Sequence, residues 1–310
     1  MNTPAARLGP YRPARRTVRG RLHEPEVRNI SPSMSRRKQP SHSRPSGASQ
    51  HGSRLPKHGR GHSGGKGARP GDDSYLYGFH AVLAALRNPA RAAERLCLTR
   101  NAEAELTRQG INPATAFDLR PEIMENDDLA ALLPSGAVHQ GIALRTSPLP
   151  ERDVAEACEG AARVVVLDQV TDPHNFGAIL RSAAVFGATA LVTTDRNSPP
   201  FGGALAKAAS GGLEQVRIAR VTNLVRAIDE LKELGFEVIG LDGDSEASLP
   251  DLDLSPRVAL VLGAEGAGLR RLTREHCDLL ARLPAAGQMK SLNVSNAAAV
   301  ALYELFRRTT

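Results

Sequence analysis

From Arg163 to the C-terminus, short runs of β-branched and aliphatic residues alternate with stretches whose apolar positions recur every three to four residues. The first pattern reads as buried strand and the second as helix. It predicts strands at Val164–Leu167, Ala190–Thr194, Gln215–Arg220, Glu237–Leu241, Val258–Leu262 and Leu279–Leu283. Helices are expected at Gly177–Phe186, Gly203–Ala209 and Asn223–Leu234, with a short one near Gly268–Glu275 and a last one from Val294. Strands and helices in alternation imply an α/β domain over 163–310, its mainly parallel sheet covered on both faces.

The preceding stretch has the same ingredients on a smaller scale. In "YLYGFHAVLAALRN" aromatics lead into Val82, Leu83 and Leu86 at helical spacing, and Asn88-Pro89 ends the helix. "RAAERLCLTR" reads as a strand, "NAEAELTRQG" as a short helix ending at Gly110, and "HQGIALRTSPLP" as a final strand with a proline-bearing link. Residues 73–147 therefore form a small α/β domain, and 148–162 a linker.

Charge separates residues 1–72 from the rest. Residues 1–70 hold sixteen Lys and Arg against two acids, so a chain of net charge +7 is +14 there and −7 beyond it. Rich in Pro, Gly, Ser and His, this segment has too little apolar surface to offset the entropy of ordering, and a disordered basic tail is expected. Non-specific attraction to a polyanion such as RNA fits it better than a membrane, though a solubilising extension remains open. Gly64-Gly65-Lys66-Gly67 lacks the first Gly and the Ser/Thr of a phosphate-binding loop and reads as linker. Prolines at 4, 10 and 13, with Glu24 and Glu26, argue against a transit peptide. No secretory segment or long apolar run is present, and Cys97, Cys158 and Cys277 have no metal-ligand spacing. A cytoplasmic protein with reduced thiols and no metal is expected.

Ligands of such sheets bind beyond the carboxyl ends of strands, where three loops combine Gly with polar residues. In "DQVTDPHNFGAILRSA" Asn175 is placed to cap a helix starting at Gly177, with Arg181 further along it. That is an ordinary cap with a solvated arginine, or a phosphate site. In "GAEGAGLRR" the order of glycines, Gly263, Gly266 and Gly268, is not that of a dinucleotide fold, but it allows close approach to a flat ligand, with Glu265 as the charged group. In "PAAGQMKSLNVSN" Ser295 or Asn293 suffices as a cap, which leaves at least two of Ser291, Asn293, Ser295 and Asn296 spare.

Taken together, "DQVTDPHNFGAILRSAAVFGA", "LVLGAEGAGLRRLTREHCD" and "LPAAGQMKSLNVSNAAAVALYE" resemble the three motifs of the SpoU (TrmH) family of RNA ribose 2′-O-methyltransferases. "YLYGFHAVLAAL" and "VHQGIAL" resemble the start and end of the small RNA-binding domain that precedes the catalytic domain in bacterial 23S rRNA guanosine-2′-O-methyltransferases. The resemblance implies a SPOUT-type trefoil-knotted α/β domain, S-adenosylmethionine as methyl donor, an RNA substrate and a homodimer formed through the knotted region. It puts Gly263, Leu283 and Leu292 on cofactor contacts, and Asn175, Arg181, Glu265, Ser291 and Asn293 on active-site positions. The basic tail is not part of the family pattern.

Methyl transfer from a sulfonium needs little activation of the methyl group, whereas a ribose hydroxyl attacks poorly until its proton leaves. Arg181 is expected to bind the neighbouring phosphate and stabilise charge rather than serve as base, because a guanidinium is hard to deprotonate. Asn175, Ser291 and Asn293 would orient the ribose, the phosphate and the loops, leaving Ser295 or Asn296 to cap the last helix. Glu265 either orders its loop or touches substrate. A guanosine of 23S rRNA near the peptidyl-transferase centre is the expected target; tRNA methylation and RNA binding without chemistry are the alternatives.

Overall fold

The computed structural model describes residues 74–287 and 291–308. The readings of 1–72 as a basic tail and of 64–67 as linker lie outside these residues.

The first sheet is built from β1 (Tyr75–Tyr77), α1 (Phe79–Arg87), β2 (Ala93–Leu98), α2 (Arg100–Arg108), α3 (Pro113–Ala116), β3 (Glu122–Ile123), α4 (Asn126–Ala131) and β4 (Ile142–Thr146). Its strand order is β1-β4-β2-β3, with β4 antiparallel to both neighbours. α1 stops before Pro89, and α2 is capped by Thr99, whose hydroxyl accepts the Ala102 N–H at 3.4 Å. α3, β3 and α4 have no counterpart in the sequence reading, being only four, two and six residues long. Elements that short show no apolar period.

The second sheet follows from α5 (Val154–Cys158), β5 (Arg163–Asp168), α6 (Pro173–Val185), β6 (Ala190–Thr194), α7 (Gly203–Ala209), α8 (Gly212–Gln215), β7 (Arg217–Val221), α9 (Leu224–Glu233), β8 (Glu237–Leu241), β9 (Val258–Gly263), α10 (Arg271–His276), β10 (Leu279–Ala281) and α11 (Val294–Arg307). Its order is β10-β8-β9-β5-β6-β7, and every pairing is parallel. In the central β5, Val165 and Leu167 enter one apolar cluster with α6, α7 and α11, while Val164 and Val166 enter another with α5 and α9. A two-residue alternation in which both faces are apolar is what a strand buried on both sides requires. The first cluster also takes in Leu76, Val82 and Leu144, so one core runs through both sheets.

Several boundaries differ from the sequence reading for local reasons. α6 begins at Pro173 rather than Gly177, because the Asp172 carboxylate accepts the His174 N–H at 3.0 Å and is the cap. Asn175 is thus not a cap but lies in the first turn. β7 begins at Arg217 instead of Gln215, because Gly212–Gln215 forms the turn α8. β10 ends at Ala281, with Arg282 making only a single bridge to Ser248. The stretch read as linker contains α5, started by a reciprocal Asp153–Glu156 capping box, and Arg152 bridges to Ala219 on the edge strand β7.

A close helix contact fixes α6. A Cβ on Gly177 would lie 2.5 Å from the Ala208 Cβ and 2.6 Å from the Leu205 carbonyl, so only glycine lets α6 and α7 approach this far. β10 lies at the sheet edge beside β8, and α11, the next element in the chain, packs on α6. Among the described residues no helix is long and apolar enough to cross a membrane.

Candidate active site

Asp168 ends β5 with its side chain fully buried. Its Oδ1 accepts the Arg270 Nε–H at 2.6 Å and its Oδ2 accepts the Arg270 backbone N–H at 3.0 Å. This pair ties the exit of β5 to the end of the Gly-rich loop after β9. Asp168 is absent from the candidates drawn from sequence. Its signal there was a carboxylate closing the apolar run "VVVLD".

The Gly-rich loop folds back on itself. Ala264 and Gly268 exchange backbone hydrogen bonds of 3.1 and 2.9 Å, and Gly266 and Gly268 have φ of +77° and +66°. A Cβ on Gly263 would stand 2.1 Å from the Gly268 carbonyl carbon. The tight return of the loop accounts for this glycine.

Glu265 sits at the tip and joins the three loops. Its Oε1 accepts from the Asn175 amide nitrogen at 3.0 Å and from the Asn293 amide nitrogen. Asn293 Nδ2 also donates to Asn175 Oδ1 at 3.1 Å. Three sequence-distant polar side chains, from the segments that follow β5, β9 and β10 in the chain, thus form one hydrogen-bonded junction.

Asn293 serves α11 as well. Its Oδ1 accepts the backbone N–H groups of Ser295 at 2.9 Å and Asn296 at 3.4 Å, and the Ser295 hydroxyl at 2.6 Å. The assignment of Ser295 or Asn296 as cap is therefore corrected: one amide caps with its oxygen and joins the loops with its nitrogen.

Arg181 is exposed on α6 and makes no hydrogen bond or ion pair among the described residues. Ser291 is exposed too, and it has no hydrogen bond to the junction. Leu292 is 55% exposed, an unusual position for a large aliphatic side chain, whereas Leu283 packs partly buried against the main core. A flat nucleoside needs apolar walls and nearby backbone polar groups. Leu283 and Leu292 are apolar and the Gly-rich hairpin offers backbone polar groups, which are the kinds of group an adenosyl ligand takes. A separate cleft runs along β7, lined by Arg152, Phe201, Arg217 and Arg220, and none of the eight candidate residues lines it.

The thiols are chemically quiet. Burial pushes Cys158 up to about 11 and Cys277 up to about 12, so both remain protonated at neutral pH.

Residues 162–303 match the SpoU rRNA Methylase family, and residues 75–152 match the RNA 2′-O ribose methyltransferase substrate binding family. The 23S rRNA (guanosine-2′-O-)-methyltransferase RlmB of Pseudomonas aeruginosa is 38% identical over 244 residues, covering 76% of this chain and 96% of that protein. The chain belongs to the SpoU rRNA methylase family. The RlmB protein of Ralstonia nicotianae is 39% identical over 237 residues, covering 75% of this chain and 95% of the relative. Among solved structures, an AdoMet-bound rRNA methyltransferase from Sinorhizobium meliloti superposes with a TM-score of 0.64 at 23% identity, covering 76% of this chain and 87% of that one. The SpoU methyltransferase AviRb from Streptomyces viridochromogenes gives a TM-score of 0.61 at 24% identity, with coverages of 76% and 88%. At such identities the likeness speaks for the fold, and the α/β class expected from the sequence stands.

Proposed function

We propose that this SpoU family member transfers a methyl group from S-adenosylmethionine to a ribose 2′-hydroxyl of RNA, with a guanosine of 23S rRNA as target. The observation that carries this reading is the junction of Asn175, Glu265 and Asn293, which gathers three loops, with Arg181 on the same helix as Asn175 and without a hydrogen bond or ion pair among the described residues. RlmB relatives that align along most of their length support the 23S target. The substrate-binding match over 75–152 supports a folded RNA over a small molecule. Such a substrate places the work in the cytoplasm.

The division of labour follows from which groups are already engaged. Leu283 and Leu292 would hold the adenosyl group beside the Gly-rich hairpin, with Gly263 shaping that wall. Bound there, the cofactor supplies an electrophilic methyl on a neutral leaving thioether. Arg181, whose donors are uncommitted among the described residues, would take the phosphate next to the target ribose, and its charge would lower the cost of removing the hydroxyl proton. Ser291, exposed at the last loop, would hydrogen-bond the ribose. Glu265 orders the loops, since it accepts from both amides. Asn175 and Asn293 hold the loops at a fixed spacing, and in-line attack depends on that spacing.

A second copy of the chain is the proposed partner. Val185, Val300, Tyr303 and Phe306, 66, 48, 52 and 37% exposed, form an apolar face on α6 and α11, where the Phe186 ring meets Tyr303 edge-on and Phe306 at a tilt. A face of this kind on the helix that carries Arg181 suits an isologous interface, and the packing of α11 on α6 after the chain leaves the edge strand β10 supports the knotted path. Tyr303→Glu is expected to convert a dimer to a monomer in sedimentation velocity; a parent chain that sediments as a monomer rejects the interface.

Transfer of labelled methyl from S-adenosylmethionine to unmodified 23S rRNA fragments, compared with tRNA, tests the activity. A 2′-O-methylated guanosine in the 23S fragment is expected. Methylated tRNA with unmodified 23S rRNA would reject the target, and no transfer to either would reject the enzyme.

A further inference from the structure

The first sheet meets the second on α7 and α8, and the contact contains a charge pair that no step of the reaction uses. Arg91, just beyond α1, and Glu214, on α8, have side chains only 4 and 5% exposed. Arg91 Nε donates to both Glu214 oxygens at 3.0 Å, and its Nη2 donates to Oε1 at 2.8 Å. Asn88 Nδ2 donates to Oε2 at 2.6 Å, and Arg91 Nη1 donates to the Ser147 carbonyl at 2.8 Å. Two residues flanking the first sheet's elements, Asn88 and Arg91, thereby converge on one carboxylate of the second unit, and the Ser147 carbonyl holds the guanidinium from its other end.

The same two helices are gripped from both sides. Toward the first sheet, a Cβ on Gly203 would lie 2.3 Å from the Tyr77 ring, and Lys207 Nζ donates to the Val138 carbonyl. Toward the active loops, a Cβ on Gly212 would lie 2.8 Å from the Leu180 carbonyl and 3.0 Å from the Arg181 backbone nitrogen. Substrate unit, α7–α8 and α6 therefore form one close-packed stack, with the Arg181 backbone at the contact between α8 and α6.

A buried ion pair does little for stability, because desolvation offsets the attraction and an apolar pair of like volume serves as well. It does supply direction: a guanidinium fork accepts a carboxylate in one plane, and any other docking angle strands a buried charge. We propose that Asn88, Arg91 and Glu214 form a positioning joint that fixes RNA held by the first sheet at a set distance and angle from Arg181. The proposal rests on the methyltransferase reading above. None of the three touches reacting atoms; they act through α8 and α6. RNA engaged at two points gains effective concentration only when the spacing between the points is right, so loosening the joint weakens the productive hold on RNA and leaves the cofactor site alone.

The test uses the full chain with Glu214→Gln and, separately, Asn88→Ala. Methyl transfer is measured against 23S fragment concentration, S-adenosylmethionine affinity by calorimetry, and backbone hydrogen exchange by mass spectrometry. Glu214→Gln should raise KM for RNA at least about tenfold and Asn88→Ala about threefold, with kcat and cofactor Kd changed less than about twofold. Exchange should quicken in residues 203–216 and 88–93 while β5 and β9 keep their rates. Should Glu214→Gln fail to fold, Asn88→Ala, which leaves the ion pair in place, carries the test. An unchanged KM overturns the joint, as does faster exchange across β5 and β9 with cofactor affinity lost in parallel. A parent chain that methylates no RNA overturns the enzymatic reading instead, and the exchange pattern alone then decides whether Glu214 docks the first sheet.

Discussion

Two polar side chains six residues apart on α6 are used in opposite ways. Asn175 commits both ends of its amide, donating to Glu265 and accepting from Asn293. Arg181 commits none of its donors to the described protein. A group whose hydrogen bonds are filled internally holds a shape, and one left open on a rigid helix can bind a ligand without first breaking a bond. The helix supplies that rigidity, anchored by the Gly177 contact with α7 and by α11. What separates positioning from chemistry at this site is thus which groups are already satisfied, more than which residue types are present.

The largest test of that contrast is Arg181→Ala. Removing a preorganised cation from a developing charge costs on the order of 10²–10³ in kcat, while an exposed, unpaired side chain contributes within about 0.5 kcal/mol to stability. Methyl transfer should therefore collapse while urea unfolding and S-adenosylmethionine affinity stay at parent values. Arg181→Lys should recover only part of the rate, because an ammonium lacks the planar fork that grips a phosphate. A clear drop in stability for Arg181→Ala would mean that the arginine is structural, and the contrast with Asn175 would fall.

The strands of the second sheet were readable because burial on both faces leaves unbroken aliphatic runs such as "VVVL" and "VALVL". What escaped was set by single side chains reaching across the chain. The start of α6 depends on whether Asp172 or Asn175 turns back to the helix, and both are good capping residues. Glu265 could be seen as the charged residue of its loop, but not as the acceptor joining residues 90 and 28 positions away. Asp168 stood one residue past the strand expected at Val164–Leu167, as the first residue of its loop, and its partner Arg270 lies 102 residues on. Arg91 and Glu214 likewise carried no local signal, since their pairing exists only once α8 meets the first sheet. Periodicity reports burial along one element, whereas a site made by several loops is written in separations that no local pattern contains.

Asn293 offers the finer test, because its two ends do different things and can be changed one at a time. Asn293→Ala removes the α11 cap together with the donor to Asn175 and Glu265, so stability should fall by about 1 kcal/mol along with a loss of activity. Asn293→Asp keeps an oxygen that can accept from Ser295 and Asn296, but sets a second carboxylate against Glu265. Its helix cap should survive, with unfolding close to that of the parent, while the like charges push the loops apart and lower kcat by about tenfold. Raising the salt should recover little of that loss, because the repulsion acts at contact distance, well inside the roughly 8 Å screening length at physiological ionic strength. If both variants lose stability and activity in the same proportion, Asn293 is only a cap, and the junction adds nothing to the alignment of the loops.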